Sequence, residues 1–146
     1  MKRFILIAVS TMTFFLATAQ DKESYLFIGS YTSDGNTEGI HVYKFNSETG
    51  EPTRISATRI SNANFLAISQ DQKYVYAINE DSTDAGSIAA FSFDKKKGTL
   101  QFINKKSSGN HPCYVSVTNN NKWVVAGHYG GGTVGVLPVK ADGSPR

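Results

Sequence analysis

Ten short runs rich in Val, Ile, Phe and Tyr, turn residues between them, and an internal repeat of 49 residues predict an all-β chain. The runs group as three, four and three strands, which is a β-propeller pattern present as an incomplete fragment of about two and a half blades. No segment beyond residue 20 shows the apolar period of a helix of useful length.

The first residues follow a different logic. Lys2 and Arg3 precede an apolar run from Phe4 to Leu16, and the small residues Ala17, Thr18 and Ala19 follow. Positive start, apolar middle and small-residue end, in that order, describe a secretory signal peptide cleaved before Gln20. Ser10, Thr11 and Thr13 interrupt the run, and it is too short to cross a hydrocarbon core of ~30 Å. Residues 1–19 are therefore expected to be a signal peptide and 20–146 the propeller part. The mature product is expected to be exported, periplasmic or secreted, with no membrane span after cleavage.

Removing the leader takes Lys2 and Arg3 with it and leaves 13 basic residues against 12 acidic ones. Nucleic-acid and anionic-membrane partners need clustered Lys and Arg in strong excess, so both are excluded as expectations. Cys113 is the sole cysteine, which rules out an intrachain disulfide and a Cys-based metal site. Stability must come from packing.

The strands read, in order, YLFIGS (25–30), GIHVYKF (39–45), TRISAT (53–58), FLAIS (65–69), YVYAI (74–78), SIAAFSF (87–93), LQFINK (100–105), YVSVT (114–118), WVVAGH (123–128) and TVGVLPV (133–139). Turn residues fill 47–50, 70–72, 95–98, 119–121 and 142–143. FLAISQDQKYVYAINE aligns without gaps to YVSVTNNNKWVVAGHY, placing Lys73 on Lys122, Tyr74 on Trp123 and Ala77 on Ala126. Ile40, Ile88 and Val134 open equivalent strands, and Gly50, Gly98 and Gly143 fall in equivalent turns. With strands lettered A to D from the axis outward, the first unit supplies B, C and D, the second all four, and the third A, B and C. The A strand of the first unit must then come from elsewhere in a closed ring.

A two-sheet sandwich also uses short strands and regular turns. Its strands alternate polar and apolar faces, whereas the middle strands of a blade are covered on both sides. YVYAI, WVVAG and IAAFSF are apolar on both faces, which favours the propeller.

GSYT, GIHVYKF with SETGE, SNANFLAIS with YVYAINE, and NHPCYVSV followed by HYGGGTVGVLPV resemble the lactonase family of seven-bladed propellers, of the 6-phosphogluconolactonase type. The resemblance covers residues 25–145. It implies a ring with an active site at one mouth of the central channel, hydrolysis of a small-molecule sugar lactone in carbohydrate metabolism without metal or other cofactor, and a monomer when complete. It also implies a catalytic histidine, arginine and glutamate in later blades, so the catalytic residues are expected beyond Arg146 and the fragment itself is expected to be inactive. Asn79 and Glu80 form a similar NE pair, but the preceding loop, SNAN, lacks the arginine. Two positions depart from the family pattern: Tyr114 stands where a histidine is expected, and His128 where an asparagine is expected. In the hairpin around 119–121 these two are expected to be neighbours at one rim, the imidazole having moved across it.

In a propeller, B–C and D–A loops emerge on one side. That side collects Tyr31 and Thr32, Asn62 and Asn64, Asn79, Glu80 and Asp81, Asn110 and His111, and His128 with Tyr129. Amides and imidazoles suit sugar hydroxyls, so Asn62, Asn64, Asn79, Glu80, Asn110, His111 and His128 are the candidate residues of the substrate mouth. Each also has a simple reading as a turn former.

Lys95, Lys96 and Lys97 fall in a C–D turn on the opposite side and read as a solvated hairpin. A phosphorylated lactone would want Arg or Lys at the mouth, where the sequence places none, and an exported enzyme fits an unphosphorylated lactone better. GGGTVG (130–135) satisfies a dinucleotide fingerprint in form only, because a strand with Pro138 follows it and not a helix. Three histidines without clustered carboxylates give no metal constellation, and Cys113 reads as core packing. A non-catalytic exported propeller that binds carbohydrate or protein is the alternative function.

Overall fold

A computed structural model describes residues 23–32, 37–80 and 86–146. The leader lies outside them, as does Asp81. Ten strands form, all antiparallel: β1 (Glu23–Gly29), β2 (Glu38–Asn46), β3 (Pro52–Arg59), β4 (Leu66–Ile68), β5 (Tyr74–Asn79), β6 (Ser87–Asp94), β7 (Thr99–Ser107), β8 (Pro112–Val117), β9 (Trp123–His128) and β10 (Thr133–Pro138). They make three sheets in the orders β1-β2-β3, β4-β5-β6-β7 and β10-β9-β8, as the grouping of the sequence predicts. An isolated antiparallel bridge joins Val139 to Pro145 just after β10.

Neighbouring sheets meet inner strands with inner strands and outer with outer, and β5 also packs on β8. The inner strand β4 packs on β8 and β1, while the outer strand β3 packs on β7. That arrangement is radial, and it decides against a sandwich, where inner and outer strands would not be distinguished. The second sheet shows why its strands are apolar on both faces. Tyr76, Ile78, Ile88 and Ala90 enter a core with Val115, Val124 and Ala126 of the third sheet. Ala77, Ala89 and Phe91, on the other face, meet Ile40 of the first sheet and Ala63. Toward the far end Phe93 meets Tyr25 and Phe27 edge to face, with centroids 4.8 and 4.9 Å apart. By contrast β9 alternates, with Val124, Ala126 and His128 buried and Trp123 exposed, because its second face has no blade against it among the described residues.

The repeat holds to the level of individual bonds. Leu66 opposes Ala77 and Val115 opposes Ala126, the same pair moved by 49 residues. In the A–B turn of the second blade, the Ser69 hydroxyl donates to Asp71 Oδ1 (2.6 Å) and accepts from the Tyr74 amide (2.9 Å), with Gln72 at φ 57°. In the third, the Thr118 hydroxyl donates to Asn120 Oδ1 (2.7 Å) and accepts from the Trp123 amide (3.2 Å), with Asn121 at φ 57°. The C–D turns repeat likewise: Asn46 and Asp94 accept amides two and three residues on, and Gly50 and Gly98 take φ 75° and 67°. Gly143 also has positive φ, but its amide returns to Lys140, a tighter turn than the expected equivalence implies. Lys96 and Lys97 donate their amides to Asp94 in an exposed turn, in keeping with a solvated hairpin.

Large buried groups tie the third blade to the second. The Tyr76 hydroxyl, inside the core, donates to Gly143 O (3.1 Å), and burial pushes its pKa up to about 12, so it stays a donor at any physiological pH.

The two A–B turns differ in one charge. The Ser69 hydroxyl holds the Asp71 carboxyl below its ordinary 3.8. A depressed carboxyl stabilises the fold above its unfolded pKa, and that contribution is lost as pH falls through the lowered folded value. Protection of the Lys73 and Tyr74 amides, taken relative to the intrinsic exchange rate at each pH, is therefore expected to fall in acid. Asp71→Asn, which copies Asn120, is expected to keep the turn at neutral pH and to abolish the acid-dependent step; acid sensitivity surviving in that variant would contradict the assignment.

Candidate substrate mouth

The D–A loops and B–C loops meet at one end of the sheets, and the backbone makes that junction the same way twice. In the second blade Asn62, at φ 48°, accepts the Glu80 amide on its carbonyl (3.3 Å). In the third, His111, at φ 51°, accepts the Tyr129 amide (3.2 Å). Asn and His tolerate this left-handed conformation better than most side chains, which accounts for their place here.

Side chains then make the two junctions different. Asn62 Nδ2 donates to the Glu80 carbonyl (2.9 Å), and its Oδ1 accepts the Thr32 amide (3.0 Å). The Thr32 hydroxyl accepts the Asn62 amide in return (3.0 Å). Asn62 is thus a three-loop clamp. Above it, the Tyr31 hydroxyl (2.8 Å) and Asn64 Nδ2 (3.1 Å) both donate to Glu80 Oε2. The hydrogen bond to Glu80, more than burial or charge, raises the Tyr31 pKa, so Tyr31 is the donor and Glu80 the carboxylate. Asn64 Oδ1 is buried and has no hydrogen-bond partner. A cavity of about 240 Å³ opens beside Asn64 and Phe65, lined also by Phe27, Gly29 and Leu66.

Asn79 and His128 occupy equivalent positions, and both are buried: 1% and 4% exposed. Asn79 Nδ2 donates to the Ser61 carbonyl and hydroxyl, while Oδ1 accepts from the Ser87 hydroxyl (3.2 Å) and Lys105 Nζ (3.3 Å). His128 lies within reach of the Thr133 carbonyl through Nδ1 (3.2 Å) and of the Ser108 hydroxyl through Nε2 (3.3 Å). A Cβ on Gly109 or Gly135 would come within 3.0 Å of that ring, so both glycines make room for it. Asn79 and His128 are therefore buried and fasten strand ends to loops.

The expected pairing of Tyr114 with His128 is off by one residue. A bulge at Cys113 sets Tyr114 opposite Gly127 and Pro112 opposite His128, and successive residues of a strand point to opposite faces. The two side chains are not neighbours across the hairpin. Tyr114 instead lies against Phe65, centroids 4.8 Å apart. The same bulge turns Cys113 outward, so it is exposed and not core packing as its sequence context suggests; its thiol lies 3.5 Å from the Gly127 carbonyl. Asn110 is exposed, His111 half-buried, and Tyr129 88% exposed. The structure thus brings together Asn62, Asn64 and Glu80 with Tyr31 and Thr32, and leaves Asn110 and His111 at the next junction. Arg59 and Lys105 also stand at this end of the fold, but on outer strands, where they line a separate groove with Asn79 and Phe102.

Residues 25–146 match the family described as Lactonase, 7-bladed beta-propeller. The chain belongs to the lactonase family. It is 34% identical over 122 residues to the 6-phosphogluconolactonase of Bacillus subtilis (strain 168), an alignment covering 81% of this chain and 34% of that protein. A crystal structure from Bacteroides fragilis NCTC 9343 matches with TM-score 0.79 and 42% identity, over 88% of this chain and 36% of the other. The periplasmic gluconolactonase of Pseudomonas aeruginosa matches with TM-score 0.74 and 29% identity, over 85% and 36%. This lactonase-family chain spans about a third of the length of the relatives it matches.

His128→Ala strips two hydrogen-bond partners from buried groups and leaves a void, which is expected to destabilise the protein by about 1–3 kcal/mol in urea unfolding. His128→Asn, the residue its own repeat uses at position 79, is expected to cost less than His128→Ala. Equal losses for the two variants would refute the clamp role.

Proposed function

We propose that the complete propeller containing this chain hydrolyses a sugar lactone, and that this chain contributes part of the substrate mouth. The carrying observation is the Tyr31–Asn64–Glu80 cluster at the meeting of three loops, in a chain of the lactonase family. Water attacks the lactone carbonyl carbon, the ring C–O bond breaks, and the ring oxygen leaves as an alcohol that takes up a proton; the product is a hydroxy acid. The reaction needs a base for the water and donors for the carbonyl oxygen as it gains charge. In this reading those groups come from later blades, and Glu80, fastened by two donors to one oxygen, binds and orients substrate. The chemistry proceeds without metal. The substrate is unphosphorylated, which suits an exported, periplasmic or secreted enzyme of carbohydrate metabolism that works as a monomer.

The purified complete protein is expected to accelerate opening of glucono-1,5-lactone above the spontaneous rate, unchanged by EDTA, and to show no turnover as the 146-residue chain alone. Absence of acceleration in the complete protein would leave the reading of a carbohydrate- or protein-binding propeller. Turnover by the 146-residue chain would show that the catalytic groups lie within it.

A further inference from the structure

Tyr25, Tyr74 and Trp123 are one position of the repeat, spaced 49 residues apart. Tyr74 and Trp123 open the B strands β5 and β9, and Tyr25 is the third residue of β1, the B strand before them. Two of the three are engaged, and in the same way. The Tyr25 hydroxyl donates to the Lys95 carbonyl (2.8 Å) in the C–D turn of the second blade, and the Tyr74 hydroxyl donates to the Ala141 carbonyl (3.1 Å) in the C–D turn of the third.

The two acceptors are equivalent. Lys95 follows Asp94, whose carbonyl accepts the Gly98 amide (2.7 Å), and Ala141 follows Lys140, whose carbonyl accepts the Gly143 amide (3.0 Å). Both glycines lie against the ring: a Cβ on Gly98 would come within 3.1 Å of the Tyr25 ring, and one on Gly143 within 2.3 Å of the Tyr74 ring. Their φ values of 67° and 83° favour glycine in any case, so one residue answers both the turn and the ring. The joint persists although the two turns differ in length, which makes it a property of the contact between successive blades and not of one loop.

Each half of this joint also occurs alone. Trp123 offers a ring that is 43% exposed and an indole N–H with no hydrogen-bond partner among the described residues. Gly50 closes the C–D turn of the first blade at φ 75°, and a Cβ there would meet nothing within 4 Å. A ring without a turn stands on one flank, and a turn without a ring on the other. A ring of this size gains by burial, and an indole N–H, which only donates, calls for a carbonyl.

We propose that Trp123 is the docking point for the C–D turn of the next repeat unit of the complete propeller, a turn with glycine at positive φ whose second residue accepts the indole N–H on its carbonyl. The inference rests on the repeat and not on the hydrolytic reading, so lactone turnover leaves it untouched in either direction.

In the complete protein, p-benzoylphenylalanine in place of Trp123 is expected on irradiation to crosslink, within one molecule, to a turn lying beyond residues 140–143 by the interval that separates Gly50, Gly98 and Gly143, as located by peptide mass spectrometry. In the unaltered complete protein, the indole N–H resonance that Trp123→Tyr and Trp123→Phe both remove is expected to exchange with water at least about tenfold more slowly than that of free tryptophan. Trp123→Tyr, which installs the residue used at 25 and 74, is expected to keep more of the urea midpoint than Trp123→Phe, a ring without a donor, and Trp123→Ala is expected to lose the most. A crosslink to any other segment, a crosslink between two molecules, or no crosslink in a folded variant would overturn the proposal. So would an indole N–H that exchanges as fast as free tryptophan, or Tyr and Phe variants with the same midpoint.

Discussion

The burial of one sheet on both faces is the constraint from which the rest of this structure follows. Strands β5 and β6 put Tyr76, Ile78, Ile88 and Ala90 into one interface and Ala77, Ala89 and Phe91 into the other. A strand has only two faces, so this sheet can satisfy both only between two neighbours. Since each neighbour is built from the same unit, stacking continues about an axis. Small residues such as Ala77 and Ala89 on one face let Ile40 and Phe91 interleave there, while larger ones fill the other.

Radial stacking fixes which loops meet. D–A and B–C connections of adjacent blades are brought to one rim, and a carbonyl held at positive φ receives the amide that ends the neighbouring B strand. This backbone junction repeats, so it needs no particular side chain beyond one that tolerates the conformation. The side chains are thereby free to differ. In one junction they became a clamp of Asn62 on Thr32 and Glu80; in the next, His111 takes the backbone role without that side-chain pattern. A repeated scaffold with unrepeated side chains is how a ring can build an asymmetric mouth.

Much of this was legible in the residues. Strand positions followed from two-residue alternation and turn chemistry, and the Ser69–Asp71 and Thr118–Asn120 turns were visible as aligned polar residues. The candidate site was only partly legible. Asn79 and His128 stand one residue before the rim, and the face of a strand's last residue depends on register, which a polar side chain does not announce. The bulge at Cys113 carries no sequence signal of its own; it shifted Tyr114 off His128 and turned the thiol outward. The pairing of Phe65 with Tyr114, by contrast, was present in the alignment as two aromatics at one repeat position. Aromatic residues at strand starts are ordinarily core formers, so the repeat position alone does not announce an exposed pair.

The same logic of faces accounts for the apolar groups that remain exposed. Ile28 lies on the face of the first sheet turned away from the second, and Trp123, Val134 and Val136 lie on the far side of the third. In each case the opposite face of the same strands is packed. Scattered exposed apolar residues mean little, but here they alternate with core residues along strands whose other side is sealed. They are the positions that a further blade would cover, and the chain corresponds to about a third of the seven-bladed relatives it matches. Exposed on both flanks, the fragment presents two surfaces of one kind, so the interactions that order its middle sheet are those its outer sheets still lack among the described residues.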